Sequence, residues 1–170
     1  MSKMQITTPS DRELVVTRSF DAPRQLVFDC LAKPDLVKRW LLGPPGWTMP
    51  VCEIDFRVGG KFRYVWSKDG HDMGMGGAFV AIDAPDRIVH EELFDQDWTG
   101  GRTRVTTDLS ETGGRTTMVM TILYATQEAR DGAKASGMAD GMEFGYGRLD
   151  ALLGELADGG KPHRPKDSQP

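Results

Sequence analysis

Among the residues of this chain that could do acid–base chemistry are three histidines: His71, His90 and His163. His71 sits in a polar loop, Asp69-Gly70-His71-Asp72, and His163 in the closing DGGKPHRPKDSQP stretch. His90 alone falls in a strand-like segment, RIVHEELF, beside Glu91 and Glu92. Strand alternation puts His90 and Glu92 on one face. A carboxylate next to an imidazole can move protons if both face a dry cavity. The same pair on a solvent face would be an ordinary surface contact, and the sequence leaves both readings open. These two residues are the weak catalytic candidates.

Other chemistry is missing from the pattern. No His, Cys or Glu set has metal-ligand spacing, so no metal site is expected. There is no Gly-x-Ser-x-Gly elbow. The glycines from Gly70 to Gly77 lack the Lys-Ser/Thr of a phosphate loop, so no cofactor is expected. Cys30 and Cys52 read as reduced core residues. Methionine adapts to irregular shapes, and Met118, Met120, Met138 and Met142 fall on elements that should face one another.

The element that must position any site is MADGMEFGYGRLDALLGEL, Met138 to Leu156. Helical spacing gathers Met138, Met142, Leu149, Leu152, Leu153 and Leu156 on one face. Gly145 falls in the middle of that stripe and Gly141 at its edge. An interior glycine costs roughly 1 kcal/mol against alanine. A glycine on the dry face means either a second backbone packed very close or space left for something else.

The rest of the chain supplies strands. Residues 1–11 read as a flexible lead. Glu13 to Phe20 is a strand, followed by a helix that Asp21 can cap and Pro23 can start. A second short helix, Leu36 to Trp40, can be capped by Asp35. Trp40 and Trp47 flank Gly43-Pro44-Pro45-Gly46 and could form a mouth or plug one end of the core. Thr48–Arg57 and Lys61–Trp66 make a hairpin. Burial favours pairing Phe56 with Phe62, Ile54 with Tyr64 and Cys52 with Trp66, with Asp55 opposite Arg63 and Gly60 in the left-handed position. Strands follow at Met75–Ile82, Arg87–Phe94, Arg102–Ser110 and Thr116–Tyr124, the last two joined through residues 111–114. Short links make neighbours antiparallel. Thr126 can cap a short helix, Gln127 to Lys134. Residues 158–170 read as a disordered tail.

This pattern implies an α+β domain over residues 12–157. About seven antiparallel strands curl around the long C-terminal helix, with two short helices after the first strand. The chain has 170 residues, a net charge of -4 and a pI near 5.4. That balance argues against nucleic acid as a partner. No run of apolar residues is long enough to span a membrane. The start, MSKMQITTPSDRE, lacks a secretory h-region, so a cytoplasmic location is expected.

The opening ELVVTRSFDAPRQLVFDCLAKPDLVKRW, the Asp55-x-Arg57-x-Gly59-Gly60-x-Phe62 run, Gly77-x-Phe79, Pro85-x-Arg87-Ile88-Val89 and Gly137-Met138-x-x-Gly141 with Leu149 and Leu153 carry a resemblance. Over residues 13–156 the chain resembles the helix-grip superfamily called START-like or SRPBCC, and within it the activator-of-heat-shock-ATPase homologues. The resemblance implies a cavity between sheet and C-terminal helix that holds lipids, polyketides or similar molecules. The leading expectation is binding of a small, largely apolar ligand. Trp40, Trp47, Tyr64, Trp66, Met118, Met120, Met142, Gly145, Tyr146 and Leu149 would wall the site, and Tyr64 and Tyr146 could anchor a polar end. A cyclase, dehydratase or hydrolase on the same cavity is the alternative. A third reading is a module acting on a chaperone ATPase in a stress response, although the second domain of the namesake co-chaperones is not seen. A homodimer is possible.

Overall fold

The structure is a computed structural model that describes residues 3–159. The order is β1 (Gln5–Thr7), β2 (Glu13–Phe20), α1 (Arg24–Ala32), α2 (Pro34–Trp40), β3 (Thr48–Ile54), β4 (Lys61–Lys68), β5 (His71–Asp83), β6 (Arg87–Phe94), β7 (Thr103–Thr112), β8 (Arg115–Leu123), α3 (Gln127–Ala135) and α4 (Met138–Gly159). The strands form one antiparallel sheet ordered β1-β2-β8-β7-β6-β5-β4-β3. With α4 lying along it, this is the helix-grip architecture. The sheet has eight strands rather than seven. The extra one is β1, inside the lead expected to be loose, where Ile6 pairs with Val16 and packs on the core. Most of the expected tail, residues 160–170, lies outside the described residues; Asp158 and Gly159 continue α4.

Alternation decides which side chains meet α4. Leu14, Val16, Arg18 and Phe20 of β2 turn inward, as do Phe62, Tyr64 and Trp66 of β4 and Val105 and Leu109 of β7, and all are buried. The outer face carries ion pairs such as Arg87–Asp108 and Arg104–Glu91.

The first hairpin departs from the expected register. Ile54 pairs with Phe62, Cys52 with Tyr64, and Glu53 rather than Asp55 stands opposite Arg63. A shift of two residues leaves every side chain on its own face, so burial could fix parity but not register. The loop decides it. Residues 55–60 fold back onto β5, where Gly59 N donates to the Phe79 carbonyl (2.8 Å) and Phe79 N to the Gly60 carbonyl (2.9 Å). Gly59, not Gly60, takes the positive φ of 81°. Arg63 turns instead to Asp95, which it holds through both terminal nitrogens.

Two turns are tighter than expected. Lys68 pairs with His71 across Asp69-Gly70, whose φ values of 51° and 79° give the two-residue turn that Asp-Gly favours. His71 therefore begins β5 instead of lying in a loop. Thr112 pairs with Arg115 across Gly113-Gly114 in the same way.

The helix starts are also corrected. Pro23 is the N-cap of α1 and offers no side-chain acceptor, while Asp21 pairs with Arg115 (2.7 Å). Lys33 is the N-cap of α2, with Pro34 in its first turn, and Asp35 pairs with Lys38. The Thr126 cap of α3 is present, its hydroxyl accepting from Ala129 N at 3.1 Å.

Candidate functional site

The sheet register places His90 and Glu92 on the inward face. Ile88, His90, Glu92 and Phe94 share one side of β6, and His90 stands between Phe79 and Val105 in the neighbouring strands. The His90 ring meets Phe62 edge-on at 5.3 Å and Phe79 at 6.4 Å, both core residues. Its Nε2 lies 3.0 Å from Glu92 Oε2. The pair therefore lies on the inward face of the sheet rather than the outer one.

Inward orientation would ordinarily seal two such groups. Yet the His90 and Glu92 side chains remain 19% and 20% exposed. Met120 on β8 is also partly exposed, although its inward position lies between Thr107 and Val16 of paired strands. Solvent thus reaches the inner face along this part of the sheet.

Glu92 sits in a row formed by Phe62, Gly77, Glu92 and Thr103 on successive strands. The Phe62 ring lies directly over Gly77, in the space that a Cβ there would need. The ring can lie there because position 77 has no side chain. Two phenols respond to the same charge. Burial pushes Tyr124 up to about 12, and Glu92 adds to the effect. Tyr64 is raised by burial first, with smaller contributions from Cys52 and Glu92. The Tyr124 hydroxyl also donates to Met138 Sδ on α4 at 3.8 Å, tying the start of that helix to this end of the sheet.

The aromatic side of the region is ordered by stacking. Trp66 stacks on Phe94 (6.4 Å, 28°), and Phe94 packs against Trp98 (5.0 Å). Trp66 Nε1 donates to the Leu41 carbonyl at 2.7 Å, fastening the loop after α2 to β4. Trp98 is 43% exposed and stands at the outer end of the stack.

The expected wall residues divide into two groups. Met120 on the inward face of β8, Met142 on α4 and Trp47 are half-buried and pack against the core, while Tyr64 and Trp66 on the inward face of β4 are buried. Trp40, Met118, Gly145, Tyr146 and Leu149 are sealed in the core. Trp40 stands at no mouth: it stacks on Tyr146 (6.0 Å, 25°) and its Nε1 donates to the Cys30 carbonyl at 2.8 Å.

Gly145 does not open a hollow. A Cβ there would come within 3.3 Å of the Trp40 carbonyl oxygen and 3.8 Å of its ring. At Gly141 it would meet Pro44 Cδ at 3.4 Å. These glycines let α4 approach the end of α2 and the loop behind it, which Arg148 also grips through the Gly43 carbonyl (2.6 Å). The Tyr146 hydroxyl is likewise no free anchor. Tyr146 packs edge-on against Phe20 (5.9 Å), and burial holds its phenol well above the usual range.

The reading of the sequence missed Arg18. It is 3% exposed on the inward face of β2, with its guanidinium over the Phe20 ring (4.9 Å). The strand pattern Leu14, Val16, Arg18, Phe20 was the available signal, since a charge in a dry-face position demands a buried partner.

A model of the family described as Activator of Hsp90 ATPase homolog 1-like protein matches residues 21–154. The chain belongs to this family. A crystal structure of a protein from Rhodobacter sphaeroides is 37% identical, with a TM-score of 0.85 over 91% of this chain and all (100%) of that one. A solution structure from Arthrobacter aurescens is 26% identical, with a TM-score of 0.78 over 95% and 97%. A crystal structure of a protein from Nitrosomonas europaea, 22% identical with a TM-score of 0.78 over 89% and 99%, shares the fold. None of the curated proteins matches the chain. In this member of the Activator of Hsp90 ATPase homolog 1-like family, no helix among the described residues is long and apolar enough to cross a membrane. No group of metal-binding side chains is found among them either.

Proposed function

We propose that the chain binds a small, largely apolar molecule carrying one hydrogen-bonding group, held between the inner face of the sheet and the first half of α4. The supporting observation is the inward His90–Glu92 pair, 3.0 Å apart and still reached by solvent. Sites for small ligands combine apolar walls with a few polar groups that fix orientation. Tyr64, Trp66, Met120 and Met142 would provide the walls, and His90 with Glu92 the polar end. Met120 and Met142 suit a ligand of irregular shape.

Native mass spectrometry of the freshly purified protein tests this directly. A co-purified molecule of a few hundred daltons supports it and names the chemical class. A clean apo mass, with no chemical-shift change at His90 or Glu92 across a panel of aromatic and acyl compounds, overturns it.

The same pair supports a second reading, acid–base catalysis on the bound molecule. An imidazole against a carboxylate can accept a proton from one atom of a substrate and return it to another. Glu92→Gln and His90→Gln separate the two readings. Loss of turnover with retained binding indicates catalysis, whereas parallel loss of affinity indicates an anchor.

A further inference from the structure

On the opposite face of the sheet, Arg12, Arg102 and Arg104 line a groove of about 200 Å³ together with Glu91 and Tyr124. Glu91 and Arg104 face each other across β6 and β7, on the side away from Glu92. The one carboxylate is shared, with Arg104 at 2.7 Å and Arg102 at 3.4 Å. These two arginines hold the Glu91 carboxyl below its usual range. Arg12 is positioned independently: its Nε donates to the Tyr124 carbonyl (2.9 Å), and its own carbonyl accepts from Tyr124 N (2.9 Å).

Three arginines against one glutamate leave the groove two charges positive. The chain as a whole is negative, with a net charge of -4, so this concentration is not a reflection of composition. Each guanidinium offers about five N–H donors. Among the described residues, the hydrogen bonds engage Nε of Arg12, one terminal nitrogen of Arg102 and one of Arg104. The remaining donors face solvent or the groove.

We propose that this groove binds a phosphate group, either inorganic phosphate or the phosphate end of a small phosphomonoester. Guanidinium forks match phosphate oxygens two at a time. A phosphomonoester carries about -1.5 to -2 charges near neutral pH, which balances the surplus, whereas a monocarboxylate leaves half of it. The volume lies below the roughly 300–1,000 Å³ of sites for drug-sized ligands. It suits a phosphate with a small organic substituent.

The test is titration of the whole chain with inorganic phosphate and with phenyl phosphate, each against potassium chloride at equal ionic strength, following the arginine Nε–H signals by NMR. The expected result is saturable movement of the Arg12, Arg102 and Arg104 signals with phosphate and none with chloride. Stronger binding of phenyl phosphate identifies a phosphomonoester site, and equal binding a phosphate site. The double variant Arg102→Gln, Arg104→Gln should weaken binding at least tenfold. Arg104→Lys, which keeps the charge and loses the fork, should weaken it several-fold. All three side chains are on the surface, and circular dichroism checks that the variants fold. Shifts that do not saturate, that chloride reproduces, or that persist unchanged in the double variant overturn the proposal.

Discussion

Arg18 and Asp150 join the sheet to α4 by a two-pronged salt bridge, with Nη1 to Oδ1 at 3.0 Å and Nη2 to Oδ2 at 2.7 Å. Glu143, two turns earlier on α4, stands 3.8 Å from Arg18 Nε. The arginine is 3% exposed and its carboxylate partner 26%. The bridge therefore fixes the C-terminal half of α4 against β2, while the start of the helix is tied to the sheet through Met138 and Tyr124.

Removing one partner strands a buried charge. Asp150→Ala should destabilise the protein by about 3 kcal/mol, the lower end of the range for a broken buried pair, because Asp150 is partly solvated. Replacing both, with Arg18→Met and Asp150→Leu, should recover most of the loss, since a well-packed apolar pair can match a buried ion pair. Urea midpoints of the single and double variants check this. A double variant less stable than Asp150→Ala would show that the bridge contributes more than its desolvation costs.

Gly145 should tolerate little. Leucine there must displace the Trp40 carbonyl and ring, which stand 3.3 Å and 3.8 Å from a Cβ. Overpacking of this kind costs roughly 1–3 kcal/mol, more than the roughly 1 kcal/mol regained in helix propensity. The midpoint of thermal unfolding should fall. Gly145→Ala, with only the one methyl, should be close to neutral. Ligand uptake should follow stability in both variants, because the position lies in closed packing.

The sequence made the architecture legible through alternation. Phe62, Tyr64 and Trp66 identify the dry face of β4, and the Gly145 stripe identifies the helix that covers it. Register was not legible, because a two-residue shift of Cys52 and Ile54 keeps the same faces, and the choice rests on backbone bonds from Gly59 and Gly60 to Phe79. The orientation of β6 was ambiguous for a related reason. Ile88 and Phe94 mark one face, but Val89 and Leu93 mark the other, so only pairing with Phe79 and Val105 turns His90 inward. Gly145 was read from its place in the stripe, but a stripe cannot say whether a backbone or a void lies opposite. The β2–β8 pairing that closes the sheet joins segments about a hundred residues apart, beyond the reach of any local pattern.

Stability should fall in alkali before it falls elsewhere. Burial pushes the Cys30 thiol from 9.0 to about 11 and the Tyr124 phenol from 10.0 to about 12. The Tyr64 and Tyr146 phenols are also raised, again chiefly by burial. The unfolded chain thus loses these protons first, at its ordinary values. The stabilisation is complete below about pH 9 and declines as pH rises through the folded values, by about 1.4 kcal/mol per unit for each group ionised only when unfolded. Urea midpoints should drop steadily from about pH 9 upward, and phenolate absorbance should appear together with unfolding. A flat profile to pH 11 would contradict the burial of Cys30.

Met120 is the position at which bulk should block the proposed site without disturbing the bridge. It faces inward between Thr107 and Val16 and packs against the core, yet it is only partly buried, so a larger side chain there can extend into solvent. Met118, two residues earlier on the same face, is 1% exposed and provides the contrast. Met120→Trp should leave the unfolding midpoint within about 1 kcal/mol of the parent, while Met118→Trp should overpack and cost about 2–3 kcal/mol. If the ligand lies on the inner face beside Glu92, Met120→Trp should lower affinity at least tenfold, and Glu92→Gln should lower it by a similar factor for any ligand that donates a hydrogen bond to the carboxylate. Isothermal titration with the molecule found by native mass spectrometry measures both. Full affinity in Met120→Trp would place the ligand elsewhere and leave the His90–Glu92 pair as a half-buried polar contact of the sheet.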